Sequence, residues 1–115
     1  MKLDTFTRSY LETALWSSTD EDGEPLDDDY TIDDFSDEFI KEAVADCEAF
    51  QEDNQEDIDG LSSRAGHDFW LTRNHHGAGF WDGDWEVVAG ARLTVSSHAF
   101  GEVTLYVGDD GRIYS

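Results

Sequence analysis

The chain has 115 residues and sets 28 Asp and Glu against 7 Lys and Arg, a formal charge of −21. That length suits one domain with a single modest core, and direct binding to nucleic acid or an anionic membrane is not expected, since both need positive charge. No run approaches the ~20 apolar residues of a membrane span, none at the start resembles a signal peptide, and the lone Cys47 rules out an internal disulfide.

Residues 5–16 are predicted to form an amphipathic helix. Phe6, Tyr10 and Ala14 recur every four residues, and Leu11 and Leu15 repeat the spacing beside them. Asp4 or Thr5 supplies the cap. Residues 17–30 lack periodicity and contain Gly23 and Pro25, so they read as a loop. A second helix is expected over 32–51, opened by Thr31 and Asp34 as a capping box. Its apolar stripe is Phe35, Phe39, Ala43, Cys47 and Phe50, widened by Ile40 and Val44. Asp34, Glu38, Glu42 and Asp46 run beside it at i, i+4 spacing, where like charges repel by ~0.2–0.5 kcal/mol per pair. A short third helix over 54–62 is expected to bury Ile58 and Leu61.

The texture changes at His67. Residues 67–74 read as a strand with Phe69 and Leu71 on one face. Trp70, on the other, is expected in the core, because a chain this short needs its aromatics inside. Residues 74–79 read as a turn, with Phe80 and Trp81 returning as a short strand. A helix over 85–99 follows Asp82-Gly83-Asp84, with Val88, Leu93, Val95 and Phe100 buried; Gly90 weakens it by ~1 kcal/mol relative to alanine. Val103, Leu105 and Val107 alternate as a strand. Asp109-Asp110-Gly111 suits a type I′ hairpin turn, closed by Ile113 and Tyr114. The expected fold class is α+β over one domain, residues 1–115. N-terminal helices pack on a small antiparallel sheet, with one helix between its hairpins.

The charge is not evenly spread. Residues 17–59 hold 19 acids and one base, Lys41, a net of −18, while the other 72 residues carry only −3. An anionic segment is thus attached to a nearly neutral, aromatic-rich body.

Three passages carry a resemblance. They are Ala14-Leu15-Trp16-Ser17-Ser18-Thr19-Asp20 with Gly23-Glu24-Pro25-Leu26-Asp27; His67-Asp68-Phe69-Trp70-Leu71-Thr72-Arg73-Asn74 running into His76-Gly77-Ala78-Gly79-Phe80-Trp81-Asp82; and Leu105-Tyr106-Val107-Gly108-Asp109-Asp110-Gly111. Over roughly residues 10–115 the chain resembles a family of small acidic proteins encoded by bacteriophages and other mobile elements. The resemblance implies a phage origin and a small accessory role. It carries over no catalytic residues. A cytosolic location, that of the host, is the expectation from the single cysteine and the absence of a signal-like run.

Among chemical groups, His67, His76 and Asp82 are the weak metal candidates, alongside His75, His98 and Asp68. Zinc needs three or four ligands in tetrahedral geometry, and no H-E-x-x-H or comparable spacing occurs. The 20–31 segment misaligns with a calcium loop, since Gly23 falls at position 4 and Thr31 at position 12. Cys47 lies on the apolar stripe, where acids nearby raise a thiol pKa. No cofactor and no catalytic residue are expected.

The leading expectation is therefore a binding protein. Its acidic face imitates DNA and blocks a basic, nucleic-acid-binding host enzyme of restriction, CRISPR or repair. The expected carriers are Asp33, Asp34, Asp37, Glu38, Glu42, Asp46, Asp53, Glu56 and Asp57. Two or three rows of carboxylates, each spaced ~6 Å, approach half the density of duplex phosphate at one charge per ~1.7 Å. Competing readings are salt adaptation, which coats a surface evenly, a module for a basic protein without mimicry, and a His/Asp metal enzyme. A homodimer through an exposed Trp70 or the terminal hairpin edge stays open.

Overall fold

In a computed structural model of the chain, residues 3–76, 78–81 and 85–115 are described. Asp4 starts the first helix by accepting the Thr7 backbone N–H at 2.7 Å, and α1 runs Thr5–Ser17. Its buried face holds the expected repeat, Phe6, Tyr10, Leu11, Ala14 and Leu15. The loop that follows is organised by Asp20, whose carboxylate accepts the N–H groups of Asp22 and Glu24 at 2.9 and 3.0 Å. A 3-10 turn, Leu26–Asp28, then fixes Leu26 in the core.

The Thr31–Asp34 pair caps a shorter element than expected. Asp34 accepts the Thr31 N–H at 2.8 Å across a 3-10 turn, Ile32–Asp34, and the chain then becomes extended at Phe35. The reason lies at the other end of the molecule. The Ser36 N–H donates to the Ile113 carbonyl at 2.9 Å, and Phe35 bridges Ile113 in parallel, so these residues cannot be helical. Helix α2, Asp37–Ile58, begins afterwards, with Ser36 Oγ accepting from the Phe39 N–H.

The separate third helix over 54–62 is not formed. Residues up to Ile58 are the end of α2, which is kinked at Asn54 (φ −127°, ψ 20°). The buried Asn54 amide donates to the Phe50 carbonyl at 2.8 Å and to Ser96 Oγ at 2.9 Å. Ile58 is buried, but Leu61 is 40% exposed, because it occupies the turn between helices rather than a helix face.

The expected strand at 67–74 is helical. Helix α3, Ser62–Arg73, is buried at every position from Asp68 to Arg73. A helix surrounded on all sides shows no polar stripe, and its polar members are satisfied by distant groups rather than by water. Thr72 Oγ1 accepts the Phe80 N–H at 3.1 Å, while Asp68 and Arg73 are held as described below. The Phe69 ring is at the centre of the core. It stacks on Phe50 at 4.2 Å and touches Phe6, Tyr10 and Phe100. Trp70 is 1% exposed, edge-on to Tyr10, and its indole N–H donates to Ser17 Oγ at 2.8 Å.

Helices α1 and α3 form the largest helix–helix contact, and Gly66 is what lets them meet. A Cβ at Gly66 would collide with the Phe6 carbonyl oxygen of α1. Gly66→Ala is therefore expected to destabilise the fold. The ~1 kcal/mol gained in helix propensity is outweighed by an overpacking cost of about 1–3 kcal/mol or more against rigid backbone. Urea unfolding checks the sign; a more stable Gly66→Ala protein would contradict the packing argument.

Phe80 and Trp81 form a turn rather than a strand. Helix α4, Val87–His98, is capped by Glu86, which accepts the Val88 and Ala89 N–H groups. The expected buried face is partly inverted. Leu93 is buried and Phe100 half-buried, but Val88 is 56% and Val95 72% exposed. The inward face is made of small residues, Ala89, Gly90 and Ser97 beside Leu93, because the Phe80 carbonyl lies where a Gly90 Cβ would be. The expected start at Asp82, Gly83 and Asp84 lies outside the described residues.

Two two-residue strands finish the fold. β1, Tyr106–Val107, pairs antiparallel with β2, Ile113–Tyr114. The turn is not type I′, since Gly111 has φ +80° but Asp110 has no positive φ. The Gly111 N–H donates to Gly108 O and the Gly108 N–H to Arg112 O, as in a three-residue loop ending on a left-handed glycine. The class is α+β, dominated by four α-helices among the described residues. Only one hairpin exists among the described residues, so α4 does not lie between two. No described helix is long and apolar enough to cross a membrane.

Candidate functional site

The nine acids expected to carry binding divide into two groups. Three are committed to the fold. Asp34 caps the 3-10 turn after Thr31. Asp46 pairs with Arg73 Nη1 at 2.9 Å. Asp57 accepts two bonds from the Arg92 guanidinium, at 2.6 and 2.9 Å. The Arg92 hydrogen bonds hold the Asp57 carboxyl below the usual carboxylate range. These partners are 27 and 35 residues away, so local spacing gave no sign of them.

The other six, Asp33, Asp37, Glu38, Glu42, Asp53 and Glu56, are exposed. Of these six only Asp37 forms an ion pair among the described residues, with Arg112 at 3.9 Å, while Arg92 acts on Glu56 at longer range. The inward positions of α2 are Phe39, Ala43, Cys47, Phe50, Asn54 and Ile58, which orients the rest of the helix. Its outward face carries Glu38 and Glu42, then the exposed Ala45 and Ala49, then Glu52, Asp53 and Glu56. Glu48 and Glu52 are exposed acids that sequence reasoning left out. Glu52 is two residues from both Phe50 and Asn54, and Glu48 is one from Cys47 and two from Phe50, so continuing the apolar stripe to Ile58 places both off its face. Seven exposed acids over a helix of about 33 Å give one per about 5 Å, about a third of the linear density of duplex phosphate. The expected rows are helix two, helix three and the 17–30 loop. No third helix adds a row and Asp46 and Asp57 pair with Arg73 and Arg92, while the loop holds the exposed Glu21, Asp22, Glu24, Asp27, Asp28 and Asp29.

The histidines are dispersed. His67, in the middle of α3, has Nδ1 at 2.8 Å from Asp68 Oδ1 and stacks on the half-exposed Trp16. Asp68 is also the acceptor for the Trp85 indole N–H at 2.6 Å, so its carboxylate is shared by two ring partners. His76 follows the end of α3, nine residues after His67. Its backbone N–H donates to Leu71 O. His75, the one non-glycine with positive φ (56°) among the described residues, stacks on His98 at 4.4 Å. No group of three or more His, Cys, Asp or Glu that could hold a metal occurs among the described residues, and Asp82 lies outside them. Cys47 is fully buried, and burial above all pushes its thiol pKa up, with Asp4 and Asp46 adding to the rise.

The molecule thus presents a rigid aromatic core behind one outward row of carboxylates. Such a row attracts a cationic surface from a distance and is weakened by salt. Compared with family models, with curated proteins and with solved structures, the chain matches none of them.

Proposed function

We propose that this is a phage-type acidic binding protein. In this reading the outward face of α2 enters the nucleic-acid cleft of a basic host enzyme of restriction, CRISPR or repair, in the host cytosol. The observation that carries it is the row from Asp37 to Glu56, exposed carboxylates among which Asp37 alone forms an ion pair in the described residues, with Arg112 at 3.9 Å. In an ordinary acidic surface many such groups find a Lys or Arg at i, i+4. Here Lys41 is the single base between residues 17 and 59. Salt adaptation, the competing reading, asks for an even coat, whereas α4 carries no acid from Val87 to His98.

Capture from host lysate followed by competition tests the proposal. A nucleic-acid-binding enzyme is expected to bind at about 0.1 M salt, to be released near 1 M as the Debye length shrinks from about 10 to about 3 Å, and to be displaced by duplex DNA. A complex that survives about 1 M salt, or that holds DNA at the same time, contradicts mimicry.

A further inference from the structure

We propose that the outward face of α4 seats a second copy of this chain, the two α4 helices packing antiparallel about a two-fold axis. Three observations point there. The first is the row Val88, Ala91, Val95 and His98, spaced three, four and three residues apart as in a helix–helix seam. Val88 and Val95 are 56% and 72% exposed, and Val87 at the row's end is 83% exposed. β-Branched side chains turned to water while small residues face the core leave an apolar face without a partner. Ala91, small and central, lets a second helix approach closely.

The second observation is charge. Two copies that each carry −21 repel, so association is confined to surface that holds no acid. Helix α4 provides twelve residues of it. The third is polarity along the helix. Glu86 is at the N-terminal end, and Arg92 and His98 follow toward the C-terminal end. Antiparallel pairing centred between Ala91 and Arg92 sets Val88 against Val95 of the other copy. It also brings the Glu86 end of each helix to the His98 end of the other, and the two helix dipoles oppose favourably. Two other routes are closed. Trp70 is buried, and the outer edge of β2 is occupied by Phe35 and Ser36.

One helix on one helix is a small interface, so the dimer is weak, with a dissociation constant on the order of micromolar or above. The inference does not depend on the acidic-face reading, and salt separates the two. Screening weakens an acidic face on a basic partner but strengthens an apolar contact between like-charged copies. Sedimentation equilibrium of the full chain from about 10 μM to about 1 mM is expected to show monomer and dimer, with dimer increasing between about 0.1 and about 0.5 M salt. Val95→Glu is expected to weaken the dimer by at least about tenfold with an unchanged thermal melt, since the side chain is exposed. Tyr106→Glu, a control on the exposed hairpin, leaves it intact. A monomer at every concentration and salt, or a dimer that Val95→Glu spares, overturns the proposal.

Discussion

Replacing Arg73 with methionine is expected to cost about 3–5 kcal/mol of stability, a large part of what a domain of this size possesses. The side chain is 3% exposed yet charged, which is tolerable only because every nitrogen of its guanidinium donates a hydrogen bond. Nε donates to Gly101 O at 2.8 Å and Nη2 to Phe100 O at 2.9 Å, while Nη1 reaches the Tyr10 hydroxyl at 3.0 Å and Asp46 at 2.9 Å. The same group lies over the Phe69 and Phe100 rings. It therefore ties α3 to α1, to α2 and to the turn after α4. Burial raises the Tyr10 phenol pKa far above its ordinary value against the opposing pull of Arg73, so the hydroxyl stays protonated and accepts from the cation. Methionine fills much of the volume but leaves two carbonyls and a hydroxyl without their donor, each costing about 1–3 kcal/mol when no water replaces it. Lysine keeps the charge but cannot reproduce the planar fork, so Arg73→Lys is expected to recover only part of the loss. Asp46→Asn is expected to cost less than Arg73→Met, because the Asp46 side chain is 36% exposed and three other acceptors remain on the cation. Urea unfolding of the three variants decides the matter. A loss below about 1 kcal/mol for Arg73→Met would mean that the network is not what joins these segments.

The same arginine explains why part of the fold was hidden in the sequence. Helix α1 and most of α2 were legible because each has one wet and one dry face, and the period of the dry face is visible. Helix α3 has no wet face from Asp68 to Arg73. Its buried polar residues interrupt the apolar pattern, and only partners far along the chain make their burial tolerable. In α4 the valines look like core and the small residues like surface. The reverse holds because contact with the Phe80 carbonyl selects Gly90. The acidic site shows the same division. That residues 17–59 carry the charge follows from composition alone. Which carboxylates are free depended on Arg73 and Arg92, and on α2 continuing past Asn54 to Ile58.

Changing Asp37, Glu38, Glu42, Glu52, Asp53 and Glu56 together to Asn or Gln is expected to cut association with the basic partner about 10- to 100-fold, chiefly through the on-rate, and to flatten its salt dependence. Stability is expected to change little, and the opposing terms can be compared. Neutralisation relieves i, i+4 repulsion in five pairs, Glu38–Glu42, Glu42–Asp46, Glu48–Glu52, Glu52–Glu56 and Asp53–Asp57, worth about 0.2–0.5 kcal/mol each. It also removes Asp37 and Glu38 from the first turn of α2, where each negative charge gains about 0.3–1 kcal/mol from the helix dipole, and the i, i+4 attraction of Asp37 to Lys41, worth about 0.2–0.5 kcal/mol. The sums nearly cancel, so a loss of binding cannot be assigned to unfolding. The matched control changes Asp34, Asp46 and Asp57 to Asn. It removes three charges that sit in the same segment but serve the Thr31 cap, Arg73 and Arg92. That variant is expected to lose stability and to keep most of its association rate. Stopped-flow association at several salt concentrations, beside a thermal melt of each variant, reads both quantities. If the six-fold variant binds at the wild-type rate with the wild-type salt slope, the outward face of α2 is not the contact. If instead the control variant loses the rate while the six-fold variant keeps it, the inward-turned acids, and not the exposed row, carry recognition.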